Sequence, residues 1–181
     1  LQRMQPSSGG FLEAIPLTSF VVMGLSCSGH ADHPVVENGL RFIRDSVRSE
    51  GSWPIDTNLA TWNTSLSISA LSQTLAPDHT STSKTRGAHD RRELLNEMYQ
   101  PELLDWLLGC QNLDRHPFTG AKPGGWGWSD LSGAVPDADD TPGALLALRY
   151  WADYANPDGA TLERIRKAVR AGGNWLLSLQ N

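Results

Sequence analysis

The stretch "GGWGWSDLSGAVPDADDTPGALLAL", residues 124–148, joins a Gly-Gly-aromatic turn to three carboxylates in four positions, Asp137, Asp139 and Asp140, and then to an apolar run opening at Thr141. Two other stretches keep the same order of parts. "GGFLEAIPLTSFVVMGL" (9–25) and "GSWPIDTNLATWNTSLSISAL" (51–71) also begin with Gly and an aromatic, Phe11 or Trp53, pass through turn-forming residues and reach a Thr. In this register Thr18, Thr64 and Thr141 are each followed seven positions on by a Leu: Leu25, Leu71 and Leu148. Seven residues are two helical turns, so Thr and Leu share one face.

A second element alternates with the first. "NGLRFIRDSV" (38–47), "PELLDWLLGCQ" (101–111) and "AGGNWLLSLQ" (171–180) each carry an aromatic, Phe42, Trp106 or Trp175, followed by apolar residues. The pattern predicts helices over 16–27, 34–48, 58–75, 90–110 (interrupted or restarted at Pro101), 140–155 and 161–179, with no alternating strand pattern. "APDHTSTSKTRGAHD" (76–90) and "NLDRHPFTGAKPGG" (112–125) read as loops, the second depending on what Phe118 packs against. Helix pairs in repeat bury their faces on neighbours, so the expected fold is all-α, with repeated helix pairs forming part of an α/α toroid. The reading is one partial domain over 1–181, with no second domain. The chain opens on Leu and stops at "LLSLQN" inside the pattern, which predicts a longer parent with a further Gly-x-Trp just past Asn181.

Composition narrows the function. Fifteen Lys and Arg against 20 Asp and Glu give a net charge of −5 without a basic run, which argues against nucleic acid as a partner. Two cysteines, Cys27 and Cys110, do not make a disulfide framework, so the expected location is the cytoplasm. The apolar stretch "IPLTSFVVMGLSCSG" is broken by Pro16, Thr18 and Ser19 well short of the ~20 residues a span needs. "CSGHADH" places Cys27, His30 and His33 close together, but zinc wants a fourth group. Neither a metal nor a cofactor is expected.

The acid cluster has an ordinary reading, in which Asp140 is the N-cap of a helix whose first residues are Thr141 and Pro142. It also has a chemical one. Packed carboxyls raise the cost of ionising all of them, so the cluster retains a proton that a lone Asp, near pKa ~3.9, has lost at neutral pH. The dipole of the following helix favours the anion left after proton transfer, by ~0.3 to 1 kcal/mol. A cation formed nearby would need π faces, each worth ~0.5 to 2 kcal/mol, and the chain holds 7 Trp. In the repeat register Trp62 and Asn63 correspond to Asp139 and Asp140, which would set acid and aromatic wall about a common centre.

"WLLGCQN" (106–112) leading to "KPGGWGW" (122–128), and "NWLLSLQN" (174–181), resemble the QW repeats of the squalene-hopene cyclase and oxidosqualene cyclase family. "VPDADDT" (135–141) resembles that family's Asp-x-Asp-Asp-Thr acid motif, in the same place after a Gly-Gly-aromatic turn. The resemblance runs from about Gly9 onward. Val47 stands where the first repeat would have Gln, and Pro142-Gly143 follow the motif where the cyclases more often have Ala and branched aliphatics. The implied reaction is protonation of a terminal alkene of a linear isoprenoid, squalene or a shorter polyprenyl chain, and cyclisation through carbocations. In it Asp139 would be the general acid and Asp137 and Asp140 its supports. Trp128 would face the developing cation, Trp62 would stand at the cavity mouth, and Trp126 is a further candidate for the substrate wall. The parent would be an isomerase or lyase, and the 181-residue piece alone inactive. Peripheral membrane contact of the parent and self-association of the piece are left open. The alternative is a non-catalytic helical-repeat protein that binds a lipid or a protein partner.

Overall fold

A computed structural model of the protein describes residues 1–75, 93–94, 97–117 and 119–180. Among these residues the chain is all-α, with no β-strand: α1 (Ile15–Cys27), α2 (Pro34–Asp45), α3 (Ala60–Leu75), α4 (Pro101–Gly109), α5 (Asp140–Tyr154) and α6 (Gly159–Leu177). The expected loop over 76–90 and Phe118 lie outside the described residues, as do residues 90–92 and 95–96 of the expected helix before Pro101. That proline instead occupies the first turn of α4, where its missing N–H leaves no hydrogen bond unmade. The chain divides into two compact units, Leu1–Leu59 with Trp128–Val135, and Ala60–Gly127 with Pro136–Asn181.

In the first unit α1 packs on α2. The apolar positions of α2 recur at helical spacing and bury Val35, Val36, Gly39 and Phe42. Its start is fixed by Pro34 and by His33, whose ring Nδ1 accepts the Val35 N–H at 3.1 Å. His33 is therefore a helix cap rather than a metal ligand. The helix stops at Asp45, short of the expected Arg48, because the Ser46 hydroxyl turns back to the Phe42 carbonyl at 2.7 Å.

In the second unit α3 packs along α5, and α5 against α6. Ile68, Leu107, Trp126, Leu148, Trp151 and Ile165 make the centre of its core. Asp158 begins α6 two residues before the expected start by accepting the Thr161 N–H at 2.7 Å.

Each unit contains the same local packing. In the first, the Phe11 N–H donates to Thr18 Oγ1 at 2.8 Å; in the second, the Trp126 N–H donates to Thr141 Oγ1 at 2.9 Å. Gly9 and Gly124 both take positive φ, 91° and 125°, and both press on the second helix after them, α2 or α6: a Cβ there would lie 2.5 Å from the Asn38 carbonyl oxygen or 2.7 Å from that of Ala171. One residue along those helices, Gly39 and Gly172 admit Val22 and Leu145, each four positions after its Thr. A second repeated contact links the preceding helix to the turn. The Trp53 indole N–H donates to the Ile43 carbonyl and that of Trp126 to Leu107, both at 2.8 Å.

The middle repeat has a register different from the one its sequence suggests. Thr61 and Ile68 are buried in α3, Ile68 at 2% exposure, whereas Leu71 is 50% exposed. The pair seven apart is thus Thr61 and Ile68, three positions ahead of Thr64 and Leu71. Residues three apart lie close on a helix, and the buried face selects between them. Leu59 and Ala60, not Trp62 and Asn63, then correspond to Asp139 and Asp140.

Gly172 and Gly173 form a matched test of this packing. A Cβ on Gly172 would lie 2.8 Å from Trp126 Cζ3 and 2.9 Å from Leu145 Cδ2, while one on Gly173 meets nothing within 4 Å. Overpacking costs about 1–3 kcal/mol and exceeds or offsets the ~1 kcal/mol by which Ala outranks Gly in a helix. Gly172→Ala should therefore lower the urea midpoint relative to Gly173→Ala, which should raise it; equal midpoints would contradict the packing.

Candidate active site

The turn before α5 builds the acid cluster. The Trp126 carbonyl accepts the Asp137 N–H at 3.1 Å and the Thr141 hydroxyl at 3.2 Å, which ties both ends of the acidic segment to one backbone group. Asp137 Oδ1 then accepts the N–H groups of Asp139 and Asp140 at 2.8 and 2.7 Å. The capping carboxylate is therefore Asp137, not Asp140 as the sequence suggests. A side chain placed two to three residues before free N–H groups can reach them, and Asp140 is already inside the helix.

The remaining two carboxyls differ sharply in environment. Asp139 is exposed, and its side chain makes no hydrogen bond or ion pair with a described residue. Asp140 is 4% exposed, and its Oδ1 has no hydrogen-bond partner among the described residues. Its pKa is pushed up to about 8, first by burial, then by a hydrogen bond to the Asp137 side chain and the charges of Asp137 and Asp139. At neutral pH Asp140 is the neutral acid.

On the facing helix, Thr61 and Ser65 lie one turn apart, both buried and both with hydroxyls lacking a partner among the described residues. Ser65 Cβ is 3.5 Å from where a Cβ on Gly143 would stand, one turn beyond Asp140. These hydroxyls were missed by sequence reasoning, though Thr61, Ser65 and Ser72, at the same inward helical spacing as Ile68, signal them. Ser72 is satisfied by the Tyr99 hydroxyl at 2.6 Å.

The aromatic candidates separate. Trp126 is a core residue at 0% exposure, bonded to Leu107 and Thr141, so it offers no surface to a substrate. The Gly-Gly turn before it sets the indole against Leu107 in the core. Trp62, in α3, is half-buried. Trp128 belongs to the first unit, is half-buried, and has a buried indole N–H without a partner among the described residues. That unit holds a second buried carboxyl, Glu13, raised in pKa by burial against a hydrogen bond from Ser8 at 2.8 Å. Among the described residues no group of three His, Cys, Asp or Glu could hold a metal ion, and no helix is long and apolar enough to cross a membrane.

No family model matches the chain. It is 29% identical over 167 residues to sporulenol synthase of Bacillus subtilis (strain 168), an alignment covering 91% of this chain and 22% of that protein. The chain thus spans about a fifth of the length of the curated relative it matches. The likeness runs through nearly all of the chain, across both units.

The buried carboxyl makes stability depend on pH. Unfolded, Asp140 loses its proton near ~3.9. Folded, it keeps the proton to about 8, so between these values the folded chain holds a proton that the unfolded chain has lost. The stability linked to that proton is full below the unfolded pKa and is lost as pH rises through the folded one. The wild-type melting temperature should fall between pH 5 and 9 more steeply than that of Asp140→Asn, and parallel curves would show that Asp140 is ionised in the folded chain.

Proposed function

We propose that the chain carries the acid end of a class II terpene cyclase site, in part of an α/α toroid built from QW repeats, and that Asp139 donates the proton that starts cyclisation of a linear isoprenoid. The observation that carries the reading is the division of labour among three adjacent carboxyls. Asp137 is spent on backbone N–H groups, Asp140 is buried and holds a proton, and Asp139 is the carboxyl left accessible to a ligand. The similarity to sporulenol synthase supports the cyclase-related reading.

In this reading a proton passes from an Asp139 oxygen to the terminal alkene carbon, leaving a carboxylate on the protein and a tertiary cation on the substrate. Neutral Asp140 beside it adds no second negative charge to the cluster. The start of α5 then favours the Asp139 carboxylate through its dipole. Trp62, in the same unit as Asp139, is the aromatic face proposed to meet the cation, worth ~0.5 to 2 kcal/mol when desolvated.

A second reading, a non-catalytic helical-repeat protein that binds a lipid or a protein partner, is favoured by the capping role of Asp137 and the exposure of Asp139. One experiment separates the two. The gene that carries this segment is expressed in a squalene-producing host, and extracts are analysed for cyclic products by mass spectrometry. The cyclase reading expects cyclised product that Asp139→Asn lowers at least a hundredfold, with Asp139→Glu restoring part of it. Undiminished product in Asp139→Asn, or none from the unaltered gene, would refute the assignment.

A further inference from the structure

Helix α6 places Arg164, Arg166, Lys167 and Arg170 within seven positions, in a chain whose net charge is −5. Two of these four cations are answered. Arg164 meets Asp105 at 2.7 Å, Arg170 stands 3.9 Å from Glu163, and across on α5 Arg149 meets Asp153 at 2.7 Å. Arg166 makes no ion pair or hydrogen bond with a described residue.

Arg166 borders a cleft of about 560 Å³ between α5 and α6. Its floor is aliphatic, from Leu162, Ile165 and Val169, which recur at helical spacing along α6. Around that floor stand the guanidinium groups of Arg149, Arg166 and Arg170, and Asp153 is the acidic residue in the lining. The volume falls in the range of small-molecule pockets, roughly 300–1,000 Å³. Such a rim carries a positive excess suited to a dianion, and planar guanidinium forks match the oxygens of a phosphate. The floor would repel a fully hydrated anion and accept hydrocarbon. A short chain attached to the phosphate satisfies both.

We propose that this cleft binds a phosphate monoester bearing a hydrocarbon chain, with the phosphoryl group on Arg166 and Arg170 and the chain along Leu162, Ile165 and Val169. The same chemistry is offered by a soluble alkyl phosphate and by the headgroup of phosphatidic acid in a bilayer. The 181-residue chain is titrated with hexyl phosphate by ligand-observed NMR at low ionic strength, and is sedimented with phosphatidylcholine vesicles with or without phosphatidic acid. Binding of hexyl phosphate is expected to weaken at least tenfold in Arg166→Gln/Arg170→Gln, and less than twofold in the charge-matched Arg48→Gln/Lys167→Gln. All four side chains are exposed, so both variants should melt with the wild type. Sedimentation with phosphatidic acid vesicles that the first variant loses identifies a lipid headgroup as the source, and hexyl phosphate binding without sedimentation identifies a soluble ester; either outcome supports the site. No binding of hexyl phosphate, or equal weakening in the two variants, overturns it.

Discussion

The interaction on which much of this structure depends is the hydrogen bond from an aromatic residue's N–H to a threonine hydroxyl at the start of a helix. It occurs at Phe11 and Thr18, and again at Trp126 and Thr141. Left in a buried turn without a partner, such an N–H would cost about 1–3 kcal/mol. The threonine hydroxyl both accepts it and donates onward, to Ala14 in one case and to Trp126 itself in the other. The turn is thereby fixed to the helix it precedes. The glycines ahead of the aromatic press on the backbone of a neighbouring helix at a distance no side chain would allow.

The acid cluster follows from that turn. Because the Trp126 carbonyl holds both the Asp137 N–H and the Thr141 hydroxyl, the residues between are confined to a short arc that leads into α5. Within it, Asp137 satisfies two helix-start N–H groups, and the helix then begins at Asp140 with its side chain turned inward. Carboxyls adjacent in sequence therefore have opposite environments. A helical step of about 100° separates Asp139 in the open from Asp140 under cover.

This explains which parts could be read from sequence and which could not. The six helices were legible because Pro16, Pro34 and Pro101 mark starts and because apolar residues recur at helical spacing between them. The third of these marks where α4 starts inside the long expected helix over 90–110. The Thr and Leu pairing was legible in α5 and misplaced in α3, since Thr61 and Thr64 lie within one turn and sequence spacing does not state which faces inward. Periodicity likewise could not rank Asp137, Asp139 and Asp140: capping depends on backbone geometry, and two consecutive residues never share a helix face. Trp126 and Trp128 differ for the same reason, two residues apart in a turn where burial is set by glycine geometry rather than by a period.

Helix α6 shows how one element serves two demands. Its inward face sets two small residues between two large ones: Ala168 and Gly172, the second of which admits the Trp126 ring, lie between Ile165 and Trp175. Ala168 offers its carbonyl to Gln111 at 3.0 Å, and the same side-chain amide reaches the Gly124 carbonyl at 2.8 Å, so one buried glutamine joins α4, the turn and α6. Val47 holds the position corresponding to Gln111 after α2, four residues beyond Ile43 as Gln111 is beyond Leu107, and it has no amide to make that bridge. The first unit makes the corresponding link through the Trp53 indole and through the Arg48 N–H, which donates to the Ser52 carbonyl at 2.9 Å, with no buried amide, and Trp53 is 51% exposed where Trp126 is 0%.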